Sequence, residues 1–68
     1  MEMGDCIETT VDKKSHWHPF DFVVPAGTRG VVCDVLDDEV VQVEIYTLKE
    51  VPFALVTFEK GEYVKIEP

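Results

Sequence analysis

Four prolines, at positions 19, 25, 52 and 68, subdivide the chain, and in none of the pieces do apolar residues recur at a helical spacing over three turns. Helix content is therefore predicted to be low. What recurs instead is a period of two: Val41, Val43, Ile45 and Thr47 fall on one face, and Gln42, Glu44 and Tyr46 on the other. That alternation belongs to a half-buried antiparallel strand.

The same logic extends along the sequence. Asp5 to Val11 reads as a first strand rich in β-branched residues, with Ile7, Thr9 and Val11 on one face. Gly27 and Gly30 release the chain from Pro25 into a second strand, Thr28 to Leu36, and Asp37-Asp38-Glu39 is an acidic turn into a third, Val40 to Leu48. Pro52 breaks the ladder, having no N–H to give, and Phe53 to Phe58 resumes it as a fourth strand. Glu59-Lys60-Gly61-Glu62 turns the chain into a short last strand, Tyr63 to Ile66. Between the first and second strands, residues 12–27 are expected to form an ordered aromatic loop, neither strand nor helix, because His16 to Pro25 shows no sustained period. The expected core is Ile7, Val31, Cys33, Val35, Val41, Val43, Ile45, Phe53, Leu55, Val64 and Ile66. Five short strands with turn chemistry between them describe an all-β fold, a small five-stranded barrel spanning residues 1–68 as one domain. Closure would also dispose of the edge strands.

Sixty-eight residues hide only about 60% of the surface that the unfolded chain exposes, so every large apolar residue matters. The formal charge is −8, from fourteen carboxylates against six Lys and Arg. Direct binding to a phosphate backbone needs clustered cations, so nucleic acid is excluded as a direct partner, and so are anionic membranes. An acidic surface suits a basic protein partner reached by electrostatic steering, or serves solubility. Self-association is expected to go no further than a weak homodimer. Cys6 and Cys33 stand in apolar strand-like runs outside any metal or redox spacing, which predicts free thiols. With no basic and apolar leader pattern at Met1 to Asp5 and no long apolar run, the expected compartment is the cytoplasm.

The order of features resembles the SH3-like barrels of small bacterial and organellar subunits. Carrying the resemblance are Gly4-Asp5 before the first strand, a long irregular segment, Pro-Ala-Gly-Thr-x-Gly-Val-Val at 25–32, an acidic hairpin, Val-x-Val-x-Ile at 41–45, and a final strand ending Val64-Lys65-Ile66. Similar layouts occur in the variable chain of ferredoxin–thioredoxin reductase and in the barrel domain of nitrile hydratase β chains. The resemblance implies a five-stranded barrel whose 12–27 loop stands where such proteins often meet partners. Relatives that contact ferredoxin offer basic or mixed rims, whereas this chain is acidic, so ferredoxin is not the implied partner.

Chemistry-bearing clusters are few. His16 and His18, with Asp21 nearby, form a metal-like group, but no third or fourth ligand stands at a diagnostic spacing, so no metal or other cofactor is expected. Ser15 beside His16 is sequence adjacency without the third group that nucleophilic catalysis needs. Asp37, Asp38 and Glu39 lack the spaced oxygen ligands of a calcium loop, and Gly27-Thr28-Arg29-Gly30 enters a strand rather than a helix N-terminus. The chain is thus expected not to be an enzyme. Candidate partner-binding residues are His16, Trp17, His18 and Phe20 of the aromatic segment, Asp37, Asp38 and Glu39 as steering charges, and Tyr46 on the barrel rim. The leading expectation is a non-catalytic module that binds another protein. Two alternatives are an acidic mimic of nucleic acid that occupies a DNA- or RNA-binding protein, and an accessory subunit of a larger enzyme.

Overall fold

A computed structural model of the chain describes residues 1–17, 20–49 and 52–67; of His16, Trp17 and Phe20 it describes the backbone alone. Seven strands make up the described structure: β1 (Cys6–Thr9), β2 (Lys13–Trp17), β3 (Phe20–Val24), β4 (Arg29–Asp37), β5 (Val40–Ile45), β6 (Ala54–Phe58) and β7 (Tyr63–Ile66). Five of them form one antiparallel sheet in the order β6-β5-β4-β1-β7, and β2 and β3 form a separate two-stranded sheet. No ladder joins β6 to β7 among the described residues, so the sheet is not closed into a barrel by strand pairing. No described helix is long and apolar enough to cross a membrane.

The expected loop at 12–27 is corrected. Residues 13–17 and 20–24 pair as the two antiparallel arms of a hairpin, with Lys13 opposite Val24 and Ser15 opposite Phe22. Phe22 and Val24 are buried while Asp21 and Val23 are exposed, the alternation of a strand with one face on a core. The hairpin supplies that core with two of its ten buried apolar residues, the others being Ile7, Val32, Val41, Val43, Ile45, Ala54, Val56 and Phe58. Cross-strand pairs build the inner layer: Val43 lies opposite both Val32 and Val56, Val41 opposite Phe58, and Ile45 opposite Ala54.

Several members of the expected core lie elsewhere. Val31, Val35 and Val64 are exposed, and Cys33, Phe53, Leu55 and Ile66 are only half-buried. In β4 the pairing of Val32 with the buried Val43 turns Val31 to the outer face, and a bulge follows. Val32 pairs with Val43 and Asp34 with Gln42, so Cys33 is an extra residue that reverses the inside–outside parity of the strand. A second irregularity between Val35 and Asp37 ends the regular ladder near the hairpin tip. In β6 the run from Phe53 to Phe58 is apolar at both parities, and pairing to β5 selects Ala54, Val56 and Phe58 for the inside.

Two glycines are needed for different reasons. Gly27 has φ 88° in the turn where Thr28 N–H donates to Pro25 O at 3.2 Å, a conformation that suits a residue without Cβ. At Gly30 the requirement is close packing: a Cβ would meet Val43 Cγ1 at 2.4 Å and Glu44 O at 2.9 Å. The buried hydroxyls around the Pro25 turn are satisfied, since Thr9 Oγ1 donates to Pro25 O at 2.9 Å and accepts from Thr28 N–H at 3.0 Å.

Candidate functional site

Register places residues from four strands in one row on the outer face of the five-stranded sheet. Cys6 is opposite both Ile66 and Val31, and Val31 is opposite Glu44. Such a face is usually polar where it meets water. Here Val31, Val64 and Tyr46 stay substantially exposed, Tyr46 at 58%. The row bends into a shallow groove of about 380 Å³ whose floor is Cys6, Gly30, Val31 and Ile66.

Charge lines the rim. Glu44 and Glu67 border the groove, and the bordering cation, Arg29, is paired with Glu8 at 3.4 Å. Tyr46 donates its phenol O–H to Glu44 Oε2. That carboxylate acceptor, with some burial, raises the Tyr46 pKa above its ordinary value, since ionising the phenol would set two negative groups against each other. Cys33 Sγ donates to Gln42 O at 3.4 Å, and burial, reinforced by Glu44, pushes its thiol pKa up, away from reactive thiolate. Both cysteines are free.

Of the residues selected from sequence, Tyr46 borders this groove and the described others do not. Asp37, Asp38 and Glu39 form the β4–β5 hairpin tip, at the opposite end of β5 from Tyr46, a separation of about 20 Å at ~3.3 Å per strand residue. The tip is braced against the β6–β7 turn. Tyr63 donates its O–H to Glu39 O at 2.7 Å, and Lys60 pairs with the Glu39 carboxylate at 3.2 Å. Glu39 itself has φ 62°, a left-handed conformation held by those two contacts. His18 lies outside the described residues, as do the side chains of His16, Trp17 and Phe20. In backbone register His16 faces Asp21 and Trp17 faces Phe20. The described residues hold no group of three His, Cys, Asp or Glu placed for a metal ion.

A larger hollow, about 560 Å³, lies against the β2–β3 hairpin and is lined by Lys14, Ser15, Asp21, Phe22 and Val23. That lining is mixed in polarity, with Lys14, Ser15 and Asp21 beside Phe22 and Val23, whereas the groove floor is apolar. The groove on the five-stranded sheet is the better-defined site. Sequence reasoning missed it because Cys6, Val31 and Ile66 come from three strands, and only pairing aligns them. Comparison of the chain with known protein families, with curated proteins and with solved structures finds no match. The site must therefore be read from its own geometry.

Proposed function

We propose that this chain is a small, acidic, non-catalytic module that binds a basic segment of another protein through the outer-face groove. One observation carries the reading: an open apolar floor of Cys6, Val31 and Ile66 sits between carboxylates on a chain of net charge −8. Apolar area supplies affinity once water is displaced, and the rim carboxylates select cations and speed encounter. Tyr46 is the aromatic anchor at the rim, and its bond to Glu44 holds the ring in place. The aromatic segment 15–22, with His16, Trp17, His18 and Phe20, is a second candidate contact on chemical grounds alone. Asp37, Asp38 and Glu39 serve as steering charges.

We also read the architecture as SH3-like. The strand order supports this, with β1 between β4 and β7, a β4-β5-β6 meander, and a single hairpin excursion between β1 and β4. A reducing, cytoplasmic setting is in keeping with two unpaired cysteines.

The test uses three capped octapeptides: alternating lysine and valine, alternating lysine and glycine, and alternating glutamate and valine. Titration calorimetry should show binding of the lysine–valine peptide alone, weakened at least about tenfold by Glu44→Lys/Glu67→Lys and by Val31→Glu. Equal binding of the lysine–glycine peptide would remove the groove from the reading and leave bulk charge. Absence of lysine–valine binding would overturn the reading. The high negative charge favours a second reading, a mimic of nucleic acid, and displacement of DNA from a basic DNA-binding protein by Val31→Glu as well as by wild type would select it.

A further inference from the structure

The two ends of the five-stranded sheet are treated differently. At one end, Lys13 from β2 crosses the edge of β6: its ammonium donates to Thr57 O, pairs with Glu62 at 2.7 Å and lies 5.1 Å from the centroid of the Phe58 ring. At the other end, β7 pairs with β1 on one side, and no described strand covers its opposite edge. Unpaired strand edges are templates for further strands.

The direction of the β7 peptide groups follows from neighbouring bonds. Thr10 N–H donates to Glu62 O at 3.0 Å, so position 62 turns its backbone toward β1. Alternation then points Val64 and Ile66 the same way, and leaves the N–H and C=O of Tyr63 and Lys65 directed outward. Thr9 agrees, because its N–H donates to Thr28 O at 2.8 Å on the other side of β1. Side chains follow the register too. Val64, 49% exposed, and Ile66, on the groove floor, share the outer face, so a strand laid on β7 would prolong the apolar row.

Charge decides the occupant. Two copies of this chain would bring −8 against −8, which opposes self-pairing. The one cation on β7, Lys65, has Asp5 at 3.7 Å as its partner, and Glu67 follows just beyond the strand. We propose that the outer edge of β7 receives an extended segment of a partner protein bearing lysine or arginine, which adds as a further antiparallel or parallel strand with its apolar side chains beside Val64 and Ile66. The inference rests on the module reading above and specifies its mode: main-chain hydrogen bonds supply the affinity common to such segments, and alternate side chains supply selection.

Lys65→Pro tests the edge directly, since it removes an outward N–H and no β1 ladder bond, and proline is tolerated at such edge positions. Lys65→Ala controls for the lost cation. With the alternating lysine–valine octapeptide as probe, Lys65→Pro should weaken binding at least about tenfold while Lys65→Ala binds as wild type does. A probe N-methylated along both edges should lose binding to wild type, which decides the matter even if Lys65→Pro fails to fold. If the N-methylated probe binds wild type as well as the parent peptide, strand addition is wrong. If binding survives Lys65→Pro yet falls with Glu44→Lys/Glu67→Lys, strand addition is likewise wrong and the groove reading stands. Loss of all probe binding to wild type overturns the groove reading itself. Concentration-dependent dimers of wild type that Lys65→Pro abolishes would assign the edge to a second copy.

Discussion

The inner and outer faces of the five-stranded sheet are built from the same residue types and do opposite things. On the inner face valines, Ile45 and Phe58 from adjacent strands are directly paired, and the β2–β3 hairpin adds Phe22 and Val24, so the layer is dry. On the outer face valine, isoleucine and cysteine also align across three strands, but nothing described lies over them. Apolar composition alone does not make a core. What separates the faces is a covering element on one and a carboxylate rim on the other.

The contrast breaks most visibly at Phe58. It is fully buried, and Phe58→Ala should cost about 3–5 kcal/mol, comparable with the whole stability of so small a domain. Val64→Ala, on the open face, should cost under about 1 kcal/mol. Urea unfolding followed by circular dichroism compares the two, and equal costs would mean that the outer face is packed after all. Gly30→Ala probes the backbone that both faces share. Its Cβ would collide with Val43 and with the Glu44 carbonyl, so a loss of about 1–3 kcal/mol is expected in the same assay.

A smaller effect sharpens the difference between the sheet edges. Lys13, by hydrogen bonding, lowers the Glu62 pKa, so the pair stabilises the fold above the ordinary carboxylate range and loses that contribution as pH falls through the lowered pKa. Glu62→Gln should cost about 1 kcal/mol at pH 7, and the gap from wild type should narrow in thermal melts as pH falls below the ordinary carboxylate range. The smallest effect is spectroscopic. Glu44→Gln should bring the Tyr46 titration down toward its ordinary value and leave Tyr63, whose pKa is raised by burial and then by Glu39, where it was. Carbon-13 NMR of the phenol ring carbons resolves the two.

Where one parity alone was apolar, the sequence was a sufficient guide. β5 alternates cleanly, and its Val41, Val43 and Ile45 are buried as expected; β7 has the bounds expected of it. Elsewhere local pattern gave way to pairing. β6 is apolar on both faces, so only its neighbour could choose between Leu55 and Val56. The Cys33 bulge shifts parity in mid-strand, and no period of two anticipates an inserted residue. In the hairpin, the five residues of β3 between two prolines are too few to show a sustained period, and the partner strand begins Lys-Lys-Ser and has no apolar period of its own. Of the groove, Tyr46 was singled out from sequence. Its floor was not, because local pattern assigns Val31 and Ile66 to the core and cannot tell one face of the sheet from the other.

The most direct test is backbone-amide NMR of the labelled protein titrated with the lysine–valine octapeptide. Shifts centred on Cys6, Val31, Glu44, Tyr46 and Lys65, with the amides of Asp37, Asp38 and Glu39 little changed, are the predicted result. Shifts concentrated at the Asp37–Glu39 tip, with the outer face silent, would contradict a functional division between the two faces of the sheet.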